Sequence, residues 1–258
     1  MMLPALVVVF ASGCSRDTRM EKETREQAIG FLNQGDYSAA VARFNEALTY
    51  SNGKYGEIEI DILRYRAEAE ILTGDYRAAA DTYELLRKVD EDKPEYMNLQ
   101  VVCLVRSDGD LDEALEIFEK SSEMAPDSTA HMEALYALGS ALAKSGRKDN
   151  IAKAKALYTK ALEVSPTGEL YNRMGTLAFE EGDIDKAIDW FDKGMGFLLQ
   201  KETMDEPDVY ASMEYNIAVC YEYKQEYSKA MERFKNYAQK YGTNETLEHE
   251  IAFLESRL

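Results

Sequence analysis

Apolar and polar positions along this chain follow a helical period rather than a strand period. The recurring unit is a small residue, three intervening residues and an aromatic: Ala40…Phe44, Ala79…Tyr83, Ala114…Phe118, Ala154…Tyr158, Ala187…Phe191 and Ala230…Phe234. A spacing of four puts both members on one helical face. Successive alanines lie 39, 35, 40, 33 and 43 residues apart. Five of the six follow a glycine, by five residues or, at Gly146, by eight. Periods of this length mark a solenoid of helical pairs rather than a folded enzyme domain. Such an array presents surface, so binding is the first functional expectation.

The fullest copy shows the logic. Leu135, Leu138, Gly139 and Leu142 share one helical face, and Gly139 leaves room for a neighbouring helix. Gly146 is suited to end this first helix in the left-handed conformation. A second helix carries Ala154, Tyr158 and Ala161, and Pro166 stops it. Gly35-Asp36, Gly74-Asp75, Gly109-Asp110 and Gly182-Asp183 each pair a helix stop with an N-cap acid, and Gln225-Glu226 is a weaker version. The eight-residue interval after Gly146 predicts a lengthened turn there.

These residues resemble the tetratricopeptide repeat, whose helix-turn-helix unit runs W-x2-L-G-x2-Y…A-x3-F…P. Leu135-x2-Leu138-Gly139-x2-Leu142 and Tyr171-x2-Met174-Gly175-x2-Ala178 carry the first-helix pattern; Thr24, Gln27 and Arg66 stand where bulky apolar residues are expected. The resemblance implies an all-α solenoid of six repeats over residues 21–244. A C-terminal capping helix over 245–258 follows from the stripe Leu247, Ile251, Leu254 and Leu258.

At the N-terminus, the apolar run Leu3–Phe10 and Ala11-Ser12-Gly13-Cys14 are similar to a bacterial lipoprotein signal. The resemblance implies removal of residues 1–13, lipidation of Cys14 and a tether over 14–20. The location it implies is the bacterial cell envelope, outside the cytoplasm. Two or more acyl chains, at ~0.8 kcal/mol per buried methylene, make a stable anchor. Ser15 would favour the outer membrane in a double-membraned host.

The net charge of −18 argues against nucleic acid, whose phosphates it would repel, and against lying flat on an anionic membrane. Membrane contact is therefore expected through the lipid anchor only. One stretch opposes the balance. Between Ala134 and Leu162 stand Lys144, Arg147, Lys148, Lys153, Lys155 and Lys160 against Asp149 alone, a local sum of +5. This is either a docking patch for an acidic partner or lipid headgroups, or a solvated charged face.

Catalytic chemistry finds no support in the sequence. There is no phosphate loop, nucleophile elbow or His-Glu-x-x-His, and Gly194-Met195-Gly196 follows no strand. Cys103 and Cys220 read as small buried hydrophobes, and His131 and His249 are isolated, so neither a metal nor a cofactor is expected.

In tetratricopeptide arrays the first helices line the concave side, and the resemblance places eleven residues there. They are Arg64, Tyr65, Tyr96, Arg106 and Tyr136, followed by Asn172, Arg173, Phe179, Tyr215, Asn216 and Tyr223. Tyrosine offers large area with a hydroxyl, and arginine grips carboxylates, so a protein or peptide partner is expected. Several of these tyrosines would serve equally to pack one repeat on the next. The two-carboxylate clamp of chaperone-binding relatives needs Lys and Asn where this chain has Arg25 and Ile29. The expectation is a non-enzymatic, lipid-anchored scaffold; the alternative is a soluble solenoid binding a peptide or small molecule without an anchor.

Overall fold

The computed structural model describes residues 11–125, 128–201 and 205–258, with side chains from Asp17 onward. Residues 1–10 of the expected signal segment and the side chain of Cys14 lie outside the described residues, and the backbone of residues 11–20, with the expected tether, is helical. Among those described, every regular element is a helix. The described residues form two compact units, one up to residue 141 and one from residue 142 onward.

The first unit contains α1 (Ala11–Asn33), α2 (Tyr37–Thr49), α3 (Glu57–Thr73), α4 (Tyr76–Val89), α5 (Pro94–Arg106) and α6 (Leu111–Met124), and most of α7 (Thr129–Lys144). From α1 to α6 each helix packs on its successor, and α1 also touches α3. The second unit contains α8 (Lys148–Val164), α9 (Gly168–Glu180), α10 (Ile184–Leu199), α11 (Pro207–Tyr223), α12 (Tyr227–Tyr241) and α13 (Glu245–Glu255). Sequence neighbours again pack together, and α9 reaches α11. Contacts between neighbours and next neighbours are those of stacked helical pairs, so stability accrues pair by pair.

The Ala/aromatic copies build the core. All six alanines are wholly buried, and Tyr83, at 6%, is the most exposed of the six aromatics. Phe44 packs with Ala28, Ala40 and Ile62 in the first unit; Phe191 packs with Ala187, Leu198, Met213 and Ile217 in the second. Burying each such side chain is worth roughly 1.5–3 kcal/mol. Gly175 is obligatory at this interface, since a Cβ there would lie 2.4 Å from the Phe191 ring. On α13, Leu247 and Leu254 close over Ala218, Ala230 and Phe234. Leu258 lies beyond the end of that helix and is exposed, so the capping stripe is shorter than the sequence spacing implies.

The turns follow their chemistry. Asp36, Asp75, Asp110 and Asp183 each accept a backbone N–H of the following first turn. Gly35, Gly74, Gly146 and Gly182 all have φ between +67° and +81°. Two details differ from expectation. In the third copy the left-handed residue is Asp108, at φ +52°, while Gly109 is needed for close approach: a Cβ there would sit 2.9 Å from the Leu104 carbonyl oxygen. After Gly146 the turn is not lengthened. The extra residues are helical, since α8 starts at Lys148 and has 17 residues. The buried Asn150 side chain donates to Ser145 Oγ at 3.0 Å and fastens this added turn.

Arg66 is held where an apolar residue was expected. Its guanidinium donates to Asn45 Oδ1 at 3.0 Å and Thr82 Oγ1 at 2.9 Å, and pairs with Glu70 at 3.3 Å. Thr82 in turn donates to Glu70 Oε2 at 2.6 Å. Burial raises the Glu70 carboxyl above its ordinary range, opposed by Thr82 and Arg66. The network lets a charged side chain occupy the interior between α2, α3 and α4.

Candidate functional site: the first-helix surfaces

In the first unit the structure brings Arg64 of α3 together with Tyr96 of α5. Arg64 Nε donates to Tyr96 Oη at 2.7 Å, and the guanidinium carbon lies 5.6 Å from that ring centroid. Asp90, in the turn before α5, organises both. It accepts from Tyr96 Oη at 2.5 Å, Arg64 Nη2 at 2.8 Å and Lys93 Nζ at 2.7 Å. Lys93 foremost, then Tyr96, hold the Asp90 carboxyl down to about 2. A cavity of about 340 Å³ opens beside Arg64, Glu95, Tyr96 and Leu99. Arg64 is thus already engaged by a carboxylate, and an acidic ligand would compete with Asp90 for it.

The other first-unit candidates separate. Tyr65 stacks on Phe44, with centroids 6.0 Å apart, and belongs to the packing between α2 and α3. Arg106 turns to α4, where it donates to Tyr76 Oη at 3.3 Å and lies 5.3 Å from the ring centroid. Tyr136 is half-buried on α7.

The second unit carries a ladder between α9 and α11. Asn216 Nδ2 donates to Asn172 Oδ1 at 3.1 Å, and seven residues on in each helix, Phe179 and Tyr223 meet edge to face at 5.2 Å. Seven residues are about two helical turns, so both rungs lie on the same flank. Tyr223 is 69% exposed, leaving most of its ring and its hydroxyl open. Beside the ladder, Arg173 pairs with Glu169 at 2.7 Å, and Tyr215 packs edge-on against Phe234 and Tyr237.

Glu206 positions the ladder's first helix from a distance. Its two carboxylate oxygens accept the N–H groups of Gly168 and Glu169, at 3.0 and 2.9 Å, at the start of α9. This is an N-terminal cap supplied by the segment leading into α11. Gly168 lies so close to Leu198 that a Cβ would approach it to 2.8 Å.

Of the basic stretch, Lys144, Arg147 and Lys148 are exposed, while Lys155 pairs with Glu181 at 2.7 Å. Cys103 and Cys220 are buried, which pushes their thiols up to about 12 and about 11. Among the described residues no group of His, Cys, Asp and Glu is placed to hold a metal ion, and no helix is long and apolar enough to cross a membrane.

Sequence reading missed the α12 residues Lys229, Arg233, Asn236 and Lys240, which line a cavity of about 480 Å³ with Tyr221 of α11. They lie on a second helix, away from the first-helix surface, and their signal in the sequence is the i, i+4, i+7, i+11 spacing.

Residues 25–94, 66–129 and 147–195 match a family profile described as Tetratricopeptide repeat, and residues 212–244 match a second of the same description. The Photosystem I assembly protein Ycf3 of Synechococcus sp. (strain CC9605) is 30% identical over 117 residues, 42% of this chain and 65% of that protein. Among solved structures, the C-terminal part of a TPR repeat-containing protein from Cytophaga hutchinsonii superposes with a TM-score of 0.65 at 16% identity, over 92% of this chain and 93% of the other. PilW, a widely conserved type IV pilus biogenesis factor, superposes with a TM-score of 0.58 at 16% identity, over 89% and 97%. At such identities these two structures speak for the fold alone. With the repeat profiles matching over more than half of the chain and the helical pairs in place, the chain belongs to the tetratricopeptide repeat family.

Proposed function

We propose that this chain is a non-enzymatic scaffold of a bacterial cell envelope, anchored by lipid on Cys14 and binding a segment of a partner protein on its first helices. The observation that carries the binding reading is the Asn172–Asn216 and Phe179–Tyr223 ladder. It combines an exposed aromatic with amide groups on adjacent first helices, a combination that suits an extended peptide backbone. The relative named as a photosystem I assembly protein agrees with a recruiting role. The anchor reading rests on the apolar run Leu3–Phe10 followed by Ala11-Ser12-Gly13-Cys14.

The test of the anchor is the intact mass and membrane partitioning of the wild-type protein beside Cys14→Ala, both expressed in a bacterium. A chain beginning at Cys14 with a diacyl or triacyl mass increment, absent in the variant, is the expected result. An unmodified, full-length chain in the soluble fraction would remove the anchor and leave a soluble peptide-binding array.

A further inference from the structure

The cavity between α11 and α12 lies on a different flank of α11 from the ladder. Asn216 and Tyr223 face the ladder, whereas Glu214 and Tyr221, each two residues earlier, sit about 200° around the helix axis from them. The cavity encloses about 480 Å³, within the usual range for ligand sites. Its rim carries Lys229, Arg233 and Lys240, one above another on α12, against Glu214 and Glu232. That local sum of +1 stands out on a chain whose net charge is −18.

The three cations differ in what they already hold. Lys229 pairs with Glu226 at 2.5 Å, and Lys240 pairs with Glu214 at 2.9 Å. Arg233 makes no hydrogen bond or ion pair among the described residues. Its guanidinium carbon lies 5.7 Å from the Tyr221 ring centroid, and its charge acts on Asp192 of α10 without an ion pair. Arg233 is exposed and lines the cavity, and no described residue engages its fork of N–H donors. Asn236, three residues on, adds an amide on the same face, and Tyr237 supplies a second aromatic wall.

We propose that this cavity is a second docking site, which takes an acidic segment of a protein partner by bidentate pairing of its carboxylate with Arg233. A carboxylate matches the guanidinium fork, and the tyrosines cover the apolar atoms that carry it. Nucleic acid is a poorer occupant, because a polyanion would meet the surrounding negative charge along its whole length.

The experiment is a titration of the purified full chain with acetylated Glu-Tyr-Glu-Tyr-Glu amide, read at the arginine Nε–Hε signals by heteronuclear NMR. The expected result is a saturable shift at Arg233 in the wild type; with affinity read by calorimetry in every variant, binding is abolished in Arg233→Ala and weakened at least about tenfold in Arg233→Lys, which keeps the charge but loses the fork. The Gln-Tyr-Gln-Tyr-Gln counterpart should leave Arg233 unmoved, and so should inorganic phosphate at the same concentration. Asn216→Ala, on the ladder, should bind the acidic peptide normally, which separates this site from the first-helix reading. No shift at Arg233, equal binding by Arg233→Ala, equal response to phosphate, or loss of binding in Asn216→Ala would each overturn the proposal.

Discussion

Single side chains decide how charge is tolerated inside this helical stack. Half-buried Arg66 and buried Glu70 form an ion pair among three helices, and removing one partner strands the other. Arg66→Ala should therefore destabilise the fold by about 3 kcal/mol, seen as a lower midpoint in urea, with Arg66→Ala/Glu70→Gln recovering part of the loss. This pair also marks a limit of sequence reading. Arg66 breaks the apolar pattern, and its compensation comes from Asn45 and Thr82, 21 and 16 residues away, which no local pattern joins to it. The same holds for Arg64, whose engagement by Asp90 across 26 residues depends on how α4, which Asp90 closes, packs against α3. By contrast, the Ala/aromatic copies were legible because each supplies its own helix with a core face at fixed spacing.

At the scale of the element, the turns show which residue types a helical pair requires and which it merely prefers. Gln225 adopts φ +60° where four other copies use a left-handed glycine, and the following Glu226 makes no side-chain cap bond. Gln225→Gly should stabilise the protein by about 1 kcal/mol, measured as a rise in the thermal midpoint. Glu206→Ala should cost about 1 kcal/mol by uncapping α9, and should loosen the Asn172 rung, seen as faster amide exchange in the first turns of that helix. The interval from Gly146 to Ala154 announced an insertion, but spacing alone does not separate extra turn from extra helix. Asn150 and its bond to Ser145 explain why the added residues are helical. Asp108 took the left-handed position next to Gly109 because Asp tolerates it and the glycine was needed against Leu104.

The whole molecule carries two carboxyl pairs that tie its stability to pH. Glu21 is pushed up to about 7, first by burial and then by Glu59; Glu222 is pushed up to about 7, first by burial and then by Glu250. The folded protein holds these protons more tightly than the unfolded chain, whose glutamates titrate near 4.5. Their stabilising contribution is thus complete below about pH 4.5 and is lost as pH rises through about 7. The thermal midpoint should fall between roughly pH 5 and pH 8, with a shallower slope in Glu21→Gln/Glu222→Gln. Asp90 acts in the opposite sense, its contribution disappearing only as pH falls through about 2. The central functional claim, that a partner lies along the first helices, is tested most directly by photo-crosslinking in the producing bacterium. A benzophenone amino acid would replace Tyr223 on the ladder or, separately, exposed Lys160 on the second helix α8. A discrete protein adduct from position 223, absent from position 160 and lost when Asn172 and Asn216 are changed to Ala, is the expected result. Adducts of equal yield from both positions, or one from 223 that survives loss of the asparagine pair, would contradict it.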